Sequence, residues 1–142
     1  MQITRTKDEA SIRRILEHPD IGPNIGVNEN PNFDIPIDEN HHYLLMDGGL
    51  FILHKVEEGW QMHVNVLKEC RNLAHKGASQ MLSYAFNQLG ADKVVCYIPK
   101  EYTNVYNFAL SFNMNDHGFK EGDHYLSLRY DQRDSSADSS MT

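Results

Sequence analysis

The chain has 142 residues, 40% apolar and 23% charged, with a formal net charge of −7. That length suits one domain with a real core, and the charge argues against broad nucleic-acid binding, which needs a basic surface. No apolar run approaches the roughly 18 residues of a membrane span, and Met1-Gln2-Ile3-Thr4-Arg5 lacks the apolar stretch of a signal peptide, so a cytoplasmic protein is expected.

Residues 2–5 read as a short first strand. Thr6 and Glu9 have the spacing of a capping box, and Ala10, Ile12, Ile15 and Leu16 share one face of a helix that ends before Pro19. Residues 19–40 are rich in Pro, Gly, Asn and Asp, which predicts turns and one short helical piece. Ile21, Ile25, Phe33, Ile35 and Ile37 predict that this loop folds back onto the body. A loop this long is either a functional element, such as a substrate lid or a surface for a protein partner, or a cover over the core.

Residues 43–46 form a strand that reaches Asp47-Gly48, a strong hairpin signal. Residues 49–56 return, and Glu57-Glu58-Gly59 turns the chain again. In residues 60–67, Trp60, Met62, Val64 and Val66 alternate with Gln61, His63 and Asn65, giving one apolar and one polar face.

A helix is predicted over 73–89, where Ala74, Ala78, Met81, Leu82, Ala85, Phe86 and Leu89 recur at helical spacing and Gly90 follows as a cap. Lys68, Arg71, His75 and Lys76 cluster near its start. Such a cluster is either a solvated face or, beside a helix N-terminus, an anion site. Residues 94–98 are apolar throughout, as in a strand buried on both faces. A helix links them to the strand before, so the two can run parallel. Residues 101–112 predict a second helix with Tyr102, Val105, Tyr106, Ala109 and Phe112 turned inward. Gly118 marks a turn, and Tyr125, Leu126, Leu128 and Tyr130 belong to a last strand. Residues 132–142 are polar and expected to be disordered, leaving 1–131 as a single domain. Cys70 and Cys96 have no metal-type spacing and are expected to be reduced thiols. Cys96 reads as packing, and Cys70, beside Arg71, as a turn residue or a reactive thiol. The histidines, His41-His42 included, show no metal-ligand spacing.

The order strand, helix, long loop, three strands, helix, strand, helix, two strands resembles the GNAT superfamily of N-acetyltransferases over residues 1–130, most specifically over 60–114. The resemblance implies an α/β (α+β) fold: a mixed, mostly antiparallel central sheet of six to seven strands with helices on both faces. In that family the turn after the fourth strand carries a basic residue and Gly-rich positions whose amides hold the pyrophosphate of coenzyme A. Here Arg71 takes the basic position and Asn72, Leu73, Ala74, His75, Lys76, Gly77 and Ala78 follow, with Gly77 the one glycine. Helix-start amides with Arg71 and Lys76 suit an anion. The resemblance implies acetyl-coenzyme A as cosubstrate, with backbone near Val64 and Val66 holding its pantetheine, and Tyr102 at a cofactor-side position usually held by Asn. The family's Tyr general acid falls on Ala109 and its Gly-Phe pair on Asn113-Met114; Tyr106 or Tyr102 stands in as the acid. The base is His63, on the polar face of the fourth strand and with a suitable intrinsic pKa, or Glu69. The implied activity is transfer of an acetyl group to an amine of a small molecule or protein.

A second resemblance, carried by His63, Arg71 and Ile98-Pro99, is to compact GNAT-like proteins of tailed bacteriophages. It implies the alternative of a non-catalytic virion or assembly factor, in the virion or host cytoplasm, meeting a protein partner through the 19–40 loop. Neither reading calls for a membrane, a nucleic acid or a metal.

Overall fold

A computed structural model of the chain describes residues 2–25 and 33–132. Its strands are β1 (Thr4–Thr6), β2 (His41–Met46), β3 (Gly49–Val56), β4 (Gly59–Val66), β5 (Lys93–Pro99), β6 (Asn115–Lys120) and β7 (Asp123–Arg129). The α-helices are α1 (Glu9–Leu16), α2 (Gly22–Ile25), α3 (Ala74–Asn87) and α4 (Thr103–Leu110), and a 3₁₀ segment, Lys68–Leu73, leads into α3. The middle of the 19–40 loop, residues 26–32, and the polar tail from residue 133 lie outside the described residues.

The strands form one seven-stranded sheet in the order β1-β2-β3-β4-β5-β7-β6. Neighbouring strands are antiparallel except β4 and β5, which are parallel across the α3 crossover. The period-two alternation divides the core. Phe51, Leu53, Trp60, Met62 and Val66 join Ala78, Met81, Leu82 and Ala85 of α3, whereas Tyr43, Leu50 and Leu67 join Ile12, Ile15 and Leu16 of α1. Helices thus cover both faces, as expected. Gly48 holds φ +72° in the tight β2–β3 turn, a conformation that favours glycine. Gly77 has a different reason: a Cβ there would lie 2.3 Å from Cζ of Phe51. The α3 stripe expected from spacing is buried at Gly77, Ala78, Met81, Leu82, Ala85 and Phe86.

Several local expectations are corrected. The Thr6–Glu9 capping box does not form. Asp8 is the N-cap of α1, Thr6 Oγ1 accepts the Asp8 N–H at 3.1 Å, and Glu9 pairs with Arg13 at 3.1 Å instead. The second helix is shorter than 101–112. Tyr102 stands at its N-cap, outside the helical turns, and Tyr102 and Val105 are 42% and 50% exposed rather than inward. Ile21 is buried, and Phe33 and Ile35 pack on the α1-side core, but Ile25 and Ile37 are exposed. Gly118 lies inside β6, at an irregularity between Asp116 and Phe119, and the turn falls at Glu121-Gly122. Tyr130 leaves the last strand for a 3₁₀ turn, Tyr130–Gln132.

Candidate functional site

β4 pairs with β3, and β5 with β7, along their lengths, but β4 and β5 meet only at Trp60↔Val94 and Gln61↔Val95. Beyond that point the two strands part and leave a wedge, with residues 62–66 on one flank and 96–99 on the other. Among the described residues each flank keeps a ladder edge with no strand partner, so backbone N–H and C=O groups at strand spacing can take an extended polar ligand. Met62, Val66, Cys96 and Ile98 are buried on the α3 side of these strands. Asn65, expected on an open polar face, is buried, and its Nδ2 donates to the Leu50 carbonyl at 3.4 Å. Two hollows of about 640 and 320 Å³, one beside β1 near Arg5 and Asp47 and one beneath α1 near Arg14 and Gly48, border none of these wedge residues.

His63 lies on the β4 flank and is exposed. Its backbone pairs with Ile52, which places His54 of β3 on the diagonal of the same face. The two Nε2 atoms are 3.0 Å apart. On the next strand His41 lies within 7° of parallel to His54, ring centres 6.0 Å apart, and its Nδ1 is 2.8 Å from Asp38 Oδ1. Three histidines and one carboxylate therefore cross β4, β3 and β2 in a row. His42, by contrast, points to the α3 side, where its nitrogens meet the Tyr84 hydroxyl at 2.8 Å and the Glu39 carbonyl at 2.9 Å.

Crowding by protein, and then the neighbouring His54, push the His63 imidazole down to about 4. Solvent still reaches the ring, so the direction is what bears on chemistry: His63 is neutral at pH 7. Desolvation lowers His54 and His42 as well. The unfolded chain binds these protons first, near the usual 6.5. Their contribution to stability is full above that value and is lost as pH falls from it toward about 4. The urea midpoint should therefore be lower at pH 5 than at pH 7.5, and His63→Gln should reduce that difference; an equal drop in the variant would show that His63 does not contribute to it.

The helical segment after β4 starts at Lys68, not at Leu73. Its first amide is capped from a distance: the Lys68 N–H donates to Asp20 Oδ2 at 2.9 Å. Asp20→Ala should cost about 1 kcal/mol, the usual worth of such a cap, read as a lower urea midpoint; an unchanged midpoint contradicts the assignment. The Cys70 N–H bonds to the Leu67 carbonyl at 2.9 Å and the Ala74 N–H to Arg71. The orphan donors of a helix belong to its first turn, so they lie near residues 68–71 rather than 72–78. Arg71, Asn72, His75 and Lys76 are exposed, Leu73 and Ala74 are half-buried against the core, and Gly77 and Ala78 are buried. The bare Cα of Gly77 faces Phe51, so packing accounts for that glycine. The His75 ring is stacked on Phe112 at 4.4 Å. Val64 is half-buried on the β4 flank, and Glu69 is exposed on the 3₁₀ segment past the end of β4.

Tyr106 does not join His63. Its hydroxyl donates to Asp116 Oδ2 at 2.6 Å, and its ring stacks on His124 at 4.1 Å. The Asp116 bond holds the phenol above its ordinary range. A proton already shared with a carboxylate, from a phenol of raised pKa, suits a general acid poorly. The row His63–His54–His41–Asp38 was missed because it depends on strand register. The hairpin turn at Glu57-Glu58 was the available signal, since it sets residue 54 opposite 61 and residue 52 opposite 63. Among the described residues no cluster of three or more His, Cys, Asp or Glu is placed to hold a metal ion, and no helix is long and apolar enough to cross a membrane.

No protein-family model and no curated protein matches the chain. Solved structures do. The N-acetyltransferase PseH of Campylobacter jejuni superposes with a TM-score of 0.66 at 11% identity, covering 90% of this chain and 96% of that one. A structure of PseH in complex with acetyl coenzyme A gives 0.64 at 10% identity over 90% and 97% of the chains. Mutant forms of the spermidine/spermine N-acetyltransferase SpeG from Vibrio cholerae give 0.68 at 12% identity over 99% and 97%. These likenesses establish the fold, which is that of the GNAT N-acetyltransferases.

Proposed function

We propose that this chain is an N-acetyltransferase that moves an acetyl group from acetyl-coenzyme A to an amine. The observation that carries this reading is the wedge between β4 and β5 with a neutral histidine on its β4 flank. The fold shared with PseH, which has been solved with acetyl coenzyme A, supports it. The free ladder edges of residues 62–66 and 96–99 fit a pantetheine arm, with Val64 and Val66 supplying backbone groups. The cosubstrate, when bound, supplies an acetyl group activated as a thioester. Arg71 and Lys76 hold the pyrophosphate, and Tyr102, exposed at the α4 N-cap, takes the cofactor-side position. His63 takes the amine's proton, a role that Glu69 fills less well from beyond the strand end. With Tyr106 committed to Asp116, the departing thiolate takes its proton from water.

The net charge of −7 favours a cationic acceptor, and spermidine, named for SpeG, is the first to try. The two free cysteines and the need for acetyl-coenzyme A fit a reducing cytoplasm, with residues 1–131 acting as one domain and the 19–40 loop contributing to the acceptor side or to a protein contact. The test is thiol release from acetyl-coenzyme A with spermidine or a lysine peptide as acceptor. Release that depends on acceptor and saturates is expected; none with any amine overturns the reading. Arg71→Glu should weaken acetyl-coenzyme A binding by about tenfold, the worth of one charge-assisted hydrogen bond, and an unchanged calorimetric Kd would misplace the pyrophosphate.

The engaged Tyr106 hydroxyl and the capped Lys68 amide favour one second reading: a GNAT-fold protein that binds without turnover, such as a phage virion or assembly factor.

A further inference from the structure

His54 and His63 do not lie face to face. Their Nε2 atoms are 3.0 Å apart, their ring centres 5.1 Å apart and their planes within 11°. That combination sets the imidazoles edge to edge and nearly coplanar, so the N–H of one points along the lone pair of the other. Two neutral rings so placed must divide the roles, one donating and one accepting. Only two arrangements exist. If His54 donates, the Nε2 lone pair of His63 is occupied and its Nδ1 carries the hydrogen, leaving His63 no free lone pair. If His63 donates, its Nδ1 lone pair is free.

We infer that His54 is a positioning residue for the acetyl transfer proposed above: it accepts the Nε2–H of His63, keeps His63 in the tautomer whose Nδ1 can act as base, and receives that Nε2 proton as the amine's proton arrives. The inference rests on the acetyltransferase reading for its chemistry and on the ring geometry for its assignment. In the step, the amine nitrogen bonds to the acetyl carbon and the carbon–sulfur bond breaks, its electron pair leaving with sulfur as thiolate. The ammonium-like nitrogen gives its proton to His63 Nδ1, and the His63 Nε2 proton passes to His54 Nε2. Once the product has left, His54 hands the Nε2 proton back to His63, the Nδ1 proton of His63 goes to water, and the thiolate takes one from water, so the balance closes and the starting tautomer is restored. His41 lies alongside on β2, its Nδ1 held by Asp38, so a carboxylate ends the row on the side away from the wedge, while burial and His41 disfavour a lasting charge on His54, which therefore holds the proton only in passing. Gln61, opposite His54 on β4, is uncharged.

Two measurements on the full chain test this. Nitrogen NMR of ¹⁵N-histidine-labelled protein reads the tautomer directly: the expected result is hydrogen on Nε2 and a bare Nδ1 for His63, with the reverse for His54. Hydrogen on His63 Nδ1 overturns the inference whether or not the protein has activity. The second compares His54→Phe, which keeps a ring but cannot accept, with His54→Gln, whose amide oxygen can. With spermidine as acceptor, His54→Phe should lose roughly tenfold in kcat, less than the 10²–10⁴-fold of a missing base, with KM for acetyl-coenzyme A unchanged. His54→Gln should recover most of that loss and restore the His63 tautomer. Equal kcat in the wild type and His54→Phe overturns the inference. A wild-type protein that acetylates no amine overturns the acetyltransferase reading instead, while the tautomer measurement still decides the His54–His63 assignment.

Discussion

His63→Ala is expected to lower kcat for acetyl transfer by about 10²–10⁴-fold, the usual contribution of a general base, while leaving the affinity for acetyl-coenzyme A nearly unchanged. The split follows from position. The proposed pyrophosphate site is centred on Arg71, past the end of β4, whereas His63 stands partway along the strand, on the face opposite the α3-side core. An interaction that matters only as the amine loses its proton alters kcat and kcat/KM together and leaves KM alone. The low proton affinity of His63 is compatible with this role. A free ammonium would not yield to it, but the nitrogen becomes acidic as its bond to the acetyl carbon forms, and a ring that bulk water does not protonate at pH 7 is available at that moment. The acid limb of the kcat/KM profile contributed by His63 should consequently lie near 4 rather than 6.5. Full turnover in His63→Ala, with the fold intact by circular dichroism, would remove His63 as the base.

The largest expected effect on stability comes from Phe51→Ala. Phe51 has no exposed surface and stands in the middle of β3, paired with Leu44 and Val64 and capped by α3. Truncating a buried Phe costs roughly 3–5 kcal/mol, part lost transfer energy and part cavity, which for a chain of this size lowers Tm by about 10 °C. Gly77 makes the test sharper. In the wild type, Gly77→Ala gains helix propensity of about 1 kcal/mol, yet its methyl would sit 2.3 Å from Phe51 Cζ, too close for a rigid ring to accommodate without shifting α3. Net destabilisation is therefore expected. With Phe51 already Ala, the same methyl enters vacated space, and Gly77→Ala should become neutral or stabilising. A double-mutant cycle reads that reversal as coupling; additive effects would show that the two residues do not meet. The contact bears on the proposed function because it fixes α3, and so the 3₁₀ segment that carries Arg71 into it, against the sheet.

The sheet and the α3 stripe were legible because they rest on local repetition. Trp60, Met62, Val64 and Val66 alternate, Ala78 through Phe86 keep helical spacing, and Asp47-Gly48 announces its turn. The parallel step from β4 to β5 followed from the helix between them. What sequence could not supply depends on partners far along the chain. Nothing in residues 68–73 announces a 3₁₀ start, because its cap is Asp20, 48 residues away. Tyr106, expected on the inner face of its helix or as the acid, is tied to Asp116 on an edge strand. Thr6 and Glu9 had the right spacing, but Ser11 and Thr6 both bind Asp8, which takes the cap position. His63 was found from its strand face, whereas its link to His54 needed the register of β3 against β4. The wedge belongs to neither kind: alternation alone does not say where two parallel strands stop pairing.

The proposed activity requires that the wedge and the basic turn bind acetyl-coenzyme A. Calorimetric titration of acetyl-coenzyme A into the wild-type protein, with thermal unfolding measured at the same concentrations, tests it most directly. Saturable heat at one site per chain is expected, with a Tm that rises with ligand, equivalent to about 2.7 kcal/mol of stabilisation at 100 times Kd. No heat and no rise in Tm at millimolar acetyl-coenzyme A would contradict it.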